Sequence, residues 1–96
     1  MKELVAPGEV HKDPEAFEVL RVWIAHNQQH ISLRYGIWED PATWGIFLVD
    51  MAKHLANAYQ QEQGLDFNET VARIKWGFDA EMKSPTDSPK GKIRED

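Results

Sequence analysis

The chain has 96 residues, no cysteine and a formal net charge of −5. That length implies one domain with an incomplete core, because small folds bury a smaller share of their surface. The missing cysteines exclude disulfides, thiolate metal sites and a thiol nucleophile. The acidic balance argues against a nucleic-acid partner, which needs clustered Lys and Arg. No run approaches the ~20 apolar residues that cross a bilayer, so no membrane partner and a cytoplasmic location are expected.

Residues 1–15 mix charges with Pro7, Gly8 and Pro14. They read as a partly mobile N-terminal arm, with at most a short strand near Leu4 and Val5. Residues 16–83 read as a single α+β domain. It opens on FEVLRVWIAH and QHISLRY, two β-branched and aromatic runs around a polar turn, which is a hairpin signal. Placing the turn at Asn27–Gln28, or in a four-residue loop, sets Ala25 opposite His30. Ile24 then faces Ile31, Val22 faces Leu33 and Leu20 faces Tyr35 on an apolar side. The other side carries Trp23 opposite Ser32, Arg21 opposite Arg34 and Val19 opposite Gly36.

From Asp40 to Gly64 the pattern predicts one long amphipathic helix. Asp40 suits the N-cap, Pro41 the first helical position and Gly64 a left-handed C-terminal cap. Trp44, Phe47, Leu48, Met51, Ala52, Leu55 and Tyr59 recur at steps of three and four as a core-facing stripe. A second helix starts at Asp66, with Glu69 completing a capping box, and runs to about Lys83 with Phe67, Val71, Ile74 and Phe78 as its stripe. Residues 84–96, SPTDSPKGKIRED, offer almost nothing to bury and predict a disordered tail. Gly45 and Gly77 inside the helices point to close packing.

These elements predict a two-layer α+β fold, an antiparallel hairpin followed by two antiparallel helices. Two strands span only about 10 Å, whereas two packed helices require roughly 20 Å. The sheet is therefore expected to widen, through a third strand from the N-terminal arm or, preferably, through the hairpin of a second copy in a homodimer.

The chemistry-bearing residues are sparse. His26 and His30 flank the turn and project to opposite faces, so no metal site is expected. Asp50 and His54 are spaced i,i+4 on the long helix and could serve as acid and base, although a solvated helix pair is the plainer reading. No serine has the glycines of a nucleophile elbow, and no glycine-rich phosphate loop is present, so no cofactor is implied. Arg21 and Arg34, placed side by side, call for a carboxylate such as Glu18 or Glu39, or for a small anionic ligand resting on Trp23. His30 shares this sheet face, and Trp76 lies off the second helix's stripe as an interface candidate.

The strings EVLRVWI, QHISLRY, WEDPATWGIFLVDMAKH and FDAEMKSPTD resemble a family of bacterial proteins of about this length, catalogued as a domain of unknown function. The resemblance spans about Phe17 to Asp87. It implies a bacterial source and no established activity. The residues favour a non-enzymatic binding or interaction module acting as a homodimer through Arg21, Trp23, His30 and Arg34. The alternative is a small enzyme with a site between subunits built on Asp50 and His54.

Overall fold

The structure, a computed structural model, describes residues 2–85 and the backbone of Ile93–Arg94. A hairpin of β1 (Leu20–Ala25) and β2 (Gln28–Leu33) is followed by α1 (Ala42–Gln63) and α2 (Phe67–Lys83), and a two-residue strand β3 (Ile93–Arg94) joins the sheet. This is the α+β order expected from the sequence. The chain divides into two compact units, one ending at Tyr35 and carrying β3, the other beginning at Gly36. Apart from Ser84, Pro85 and the backbone of β3, the polar tail expected over 84–96 lies outside the described residues.

In the hairpin unit the strands are antiparallel, but two residues out of the expected register. Leu20 faces Leu33, Arg21 faces Ser32, Val22 faces Ile31 and Trp23 faces His30, with Ala25 and Gln28 closing the loop. The turn is His26–Asn27, with φ of +54° and +60°. Positive φ at both central residues defines the turn whose twist matches a hairpin, and Asn and His adopt it more readily than most side chains. Gln28 has no such tolerance, which moves the turn one residue back from Asn27–Gln28. A shift of two residues keeps every side chain on its own face. The apolar pattern is therefore equally content with either register, and turn chemistry decides.

The N-terminal arm contributes no strand among the described residues. Gly8–Lys12 forms a 3-10 turn, and Leu4 and Val5 are 97% and 90% exposed, too little buried to anchor a ladder. The sheet's third strand is β3, which pairs parallel with Ile31 and Ser32. The strand order β1-β2-β3 leaves β1 at the sheet edge.

The helical unit follows its sequence signals closely. The Ala42 N–H donates to Asp40 Oδ1 at 2.9 Å, Pro41 already has helical dihedrals, and Gly64 ends α1 at φ +71° with its N–H on the Gln60 carbonyl. Asp66 caps α2 by accepting from the Glu69 N–H at 2.9 Å, while the Thr70 hydroxyl donates to the Asp66 carbonyl at 2.7 Å. The Ala42 and Glu69 bonds satisfy backbone donors that a helix start leaves without intrahelical partners, and the Gly64 bond satisfies a carbonyl at a helix end. At the head of α1, Trp38, Trp44 and Phe47 form an aromatic cluster. Trp38 meets Trp44 edge-on at 4.8 Å, and Trp44 meets Phe47 at 5.4 Å. Edge-to-face pairs of this kind add about 1 kcal/mol beyond area burial.

Burial is where expectation and structure part. The two helices pack on each other, and their less exposed positions are Ala52 and Ala56 on α1 and Phe67, Thr70, Val71 and Ile74 on α2, beside the half-buried head of α1 at Thr43, Trp44 and Phe47. Among the described residues Ala56 alone is fully buried. The middle of the expected core stripe, Leu48, Met51 and Leu55, stays 42–53% exposed. The buried Ala56 is not part of the expected stripe, whose Ala52 lies one turn away from it, and the larger side chains in the middle of the stripe stay exposed. Gly45 and Gly77 also depart from expectation, because a Cβ at either position would meet nothing within 4 Å among the described residues. No helix among the described residues is long and apolar enough to cross a membrane.

Candidate functional site

The polar face of the hairpin gathers four of the five interface candidates. Alternation along β1 places Arg21 and Trp23 on one side. The observed register sets Trp23 directly opposite His30, and Arg21 opposite Ser32. Arg34, just past β2, donates its backbone N–H to the Val19 carbonyl at 3.0 Å, so it faces Val19 rather than Arg21. The like-charge opposition expected between the two arginines is removed by the shifted register.

Glu18 organises both guanidinium groups. One carboxylate oxygen, Oε2, accepts from Arg21 Nε at 3.0 Å and lies 2.9 Å from Nη2, while the Glu18 backbone carbonyl accepts from Arg34 Nε at 2.9 Å. Glu3 adds a second carboxylate 3.2 Å from Arg21 Nη1. Glu18, first by hydrogen bond and then by charge, raises the Arg21 guanidinium above its ordinary pKa, with a smaller push from Glu3. Arg21 is charged throughout the working pH range in any case. Its guanidinium also lies 5.9 Å from the centre of the Trp23 ring, and that of Arg34 lies 5.7 Å from Phe17, both within cation–π reach.

A shallow depression of about 200 Å³ opens here between Lys2, Glu3 and Leu4 and the β1 residues Leu20 to Trp23. Trp23 is half-buried beside it, whereas Val22 and Ile24 on the apolar side are 49% and 69% exposed. The polar side of β1 is thus the better covered one. His30 bonds its Nε2 to the Ala25 carbonyl at 3.2 Å, and His26 occupies the turn. Among the described residues no cluster of three or more His, Asp or Glu side chains is placed to hold a metal ion.

In the helical unit, Asp50 and His54 are both exposed, and neither lines this depression or a second one. The second, about 480 Å³ and open, lies at the α1–α2 turn between Tyr59, Leu65, Asp66, Thr70, Arg73 and Ile74. Trp76 is 59% exposed and carries the Arg73 guanidinium 4.2 Å above its ring. Their spacing of three residues on a helix was a readable sign of that stacking. Glu3 gave no such sign, being 18 residues from Arg21 in an arm without periodicity.

No curated protein matches the chain. It is similar in structure to a protein of the photosynthetic bacterium Rhodopseudomonas palustrus CGA009 that is provisionally assigned as a pyruvate dehydrogenase, with 34% identity, a TM-score of 0.74, and 96% of this chain and 94% of that one covered. A family profile also matches residues 3–86, and by that match the chain belongs to the family described as Domain of unknown function (DUF5076).

Proposed function

We propose that this protein is a non-enzymatic interaction module of the bacterial cytoplasm that works as a homodimer. The observation that carries this reading is the burial pattern. Ala56 is the one fully buried side chain among the described residues, while Val22, Ile24, Leu48, Met51, Leu55 and Trp76 all stand 42–69% exposed. At about 25 cal/mol per Å² of apolar surface, covering several such side chains is a large fraction of a small domain's stability. A second copy is the commonest way soluble chains supply that cover. Arg21, Trp23, His30, Arg34 and Trp76 are the residues proposed to meet partners.

A small anionic ligand on Arg21 is the weaker possibility, because Glu18 and Glu3 already flank that guanidinium. An enzyme based on Asp50 and His54 is not favoured, since catalysis needs its acid and base held beside a bound substrate and both residues lie outside the two depressions. The dehydrogenase assignment of the Rhodopseudomonas protein is likewise not carried over. Size-exclusion chromatography with light scattering tests the homodimer. A mass of twice one chain is expected, and a mass of one chain at all concentrations overturns it.

A further inference from the structure

We infer that the outer edge of β1 is the two-fold interface of this protein, pairing β1 antiparallel with β1 of a second copy in a register centred on Val22. The inference rests on the homodimer reading and specifies which surface forms it.

The first observation is which edge is open. β2 carries β3 on its outer side at Ile31 and Ser32, whereas β1 ends the sheet. The Arg34 N–H bond to the Val19 carbonyl makes 19 and 34 a hydrogen-bonded pair. Alternation along the ladder then turns the backbone groups of Arg21 and Trp23 toward β2. Those of Leu20, Val22 and Ile24 face outward. Exposed edges are usually guarded by Pro, Lys or a bulge. LRVWIA has neither Pro nor Lys, its one charge, Arg21, is held by Glu18 and Glu3, and its six residues pair with β2 without a bulge. The N-terminal arm runs near this strand, Lys2, Glu3 and Leu4 lining one depression with Leu20 to Trp23, but it adds no strand to the edge.

The second observation is self-complementarity, which selects a second copy of this chain as the occupant. With Val22 on the axis, Leu20 faces the partner's Ile24, Val22 faces the partner's Val22, and Ile24 faces the partner's Leu20. All three carry outward backbone groups, so each pair exchanges both of its hydrogen bonds. On the opposite face Arg21 lies against the partner's Trp23, and Trp23 against the partner's Arg21, a cation–π match repeated by symmetry. The neighbouring registers are worse. Centring on Arg21 sets two guanidinium groups face to face, and centring on Trp23 leaves Leu20 without an opposite residue in the strand.

Because the chain has no cysteine, a single introduced one reports the register directly. Residues facing each other in a hydrogen-bonded pair have Cα atoms about 5.5 Å apart, within disulfide range. Under mild oxidation Val22→Cys is expected to give a covalent dimer, and Arg21→Cys and Trp23→Cys to give far less. Val22→Pro removes one outward N–H, leaves the β1–β2 bonds of Arg21 and Trp23, and is expected to weaken the dimer at least about tenfold by light scattering. Far-UV circular dichroism accompanies it, and if that variant unfolds the cysteine series decides alone. A wild-type dimer with no cross-link at any of the three positions overturns the interface but not the homodimer. Efficient cross-linking at 21 or 23 with Val22→Cys silent overturns the register, and a monomeric wild type overturns both.

Discussion

The helical unit and the hairpin unit differ in how their backbone groups are satisfied. In the helices, each of the four ends is closed by a residue within four positions of it: Asp40, Gly64, Asp66 and Ser84 each make their capping bond locally. In the hairpin the turn is equally local, but the edge of β1 has no counterpart within the three-stranded sheet. Caps satisfy a helix from within its own few residues, whereas the outward groups of an edge strand are left to water or to another strand. The lesson is that local signals can close the ends of helices and set a turn while leaving the backbone groups of an edge strand without a partner inside its own sheet.

That contrast can be attacked from either unit. The largest effect is expected at Trp44→Ala, which removes the centre of the Trp38–Trp44–Phe47 cluster and should cost about 3 kcal/mol in urea unfolding. A loss under 1 kcal/mol would show that the cluster is a surface contact and not the anchor of α1. Next comes Asp66→Ala, which leaves the Glu69 N–H without its partner and should cost about 1 kcal/mol by the same measurement.

How much of this was legible follows the same division. Asp40, Pro41, Gly64 and Asp66 were readable because capping is decided by residue type over a few positions, whereas of the expected capping box only the Asp66 half forms among the described residues. The faces of β1 and β2 were readable from alternation. The register was not, because the apolar pattern has a period of two and matches equally well after a slip of two residues. The His26–Asn27 turn resolves it through positive φ, a property in which Asn27–Gln28 looked comparable only at its first residue. Among the candidate site residues, Trp23 and His30 shared a face as expected. The clasp of Arg21 by Glu3 depends on where an aperiodic arm runs, and no spacing rule reports that.

Smaller effects sharpen the comparison by their sign. Gly77→Ala should stabilise the chain by about 0.5–1 kcal/mol, because a Cβ there meets open space and alanine is the better helix former. Destabilisation together with loss of the dimer would instead place the interface on α2. The smallest change is expected from Asn27→Gly, where φ is +60°. Glycine suits that position of the turn, so the hairpin should gain a few tenths, roughly 0.3 kcal/mol, seen as a slightly higher thermal midpoint.

The most direct measurement is the thermal midpoint of the wild-type chain across a hundredfold range of protein concentration. For a protein whose apolar surface is covered by a second copy, unfolding is coupled to dissociation, and the midpoint rises by several degrees as concentration increases. A midpoint that does not move, with the mass of a single chain in solution, would contradict the homodimer.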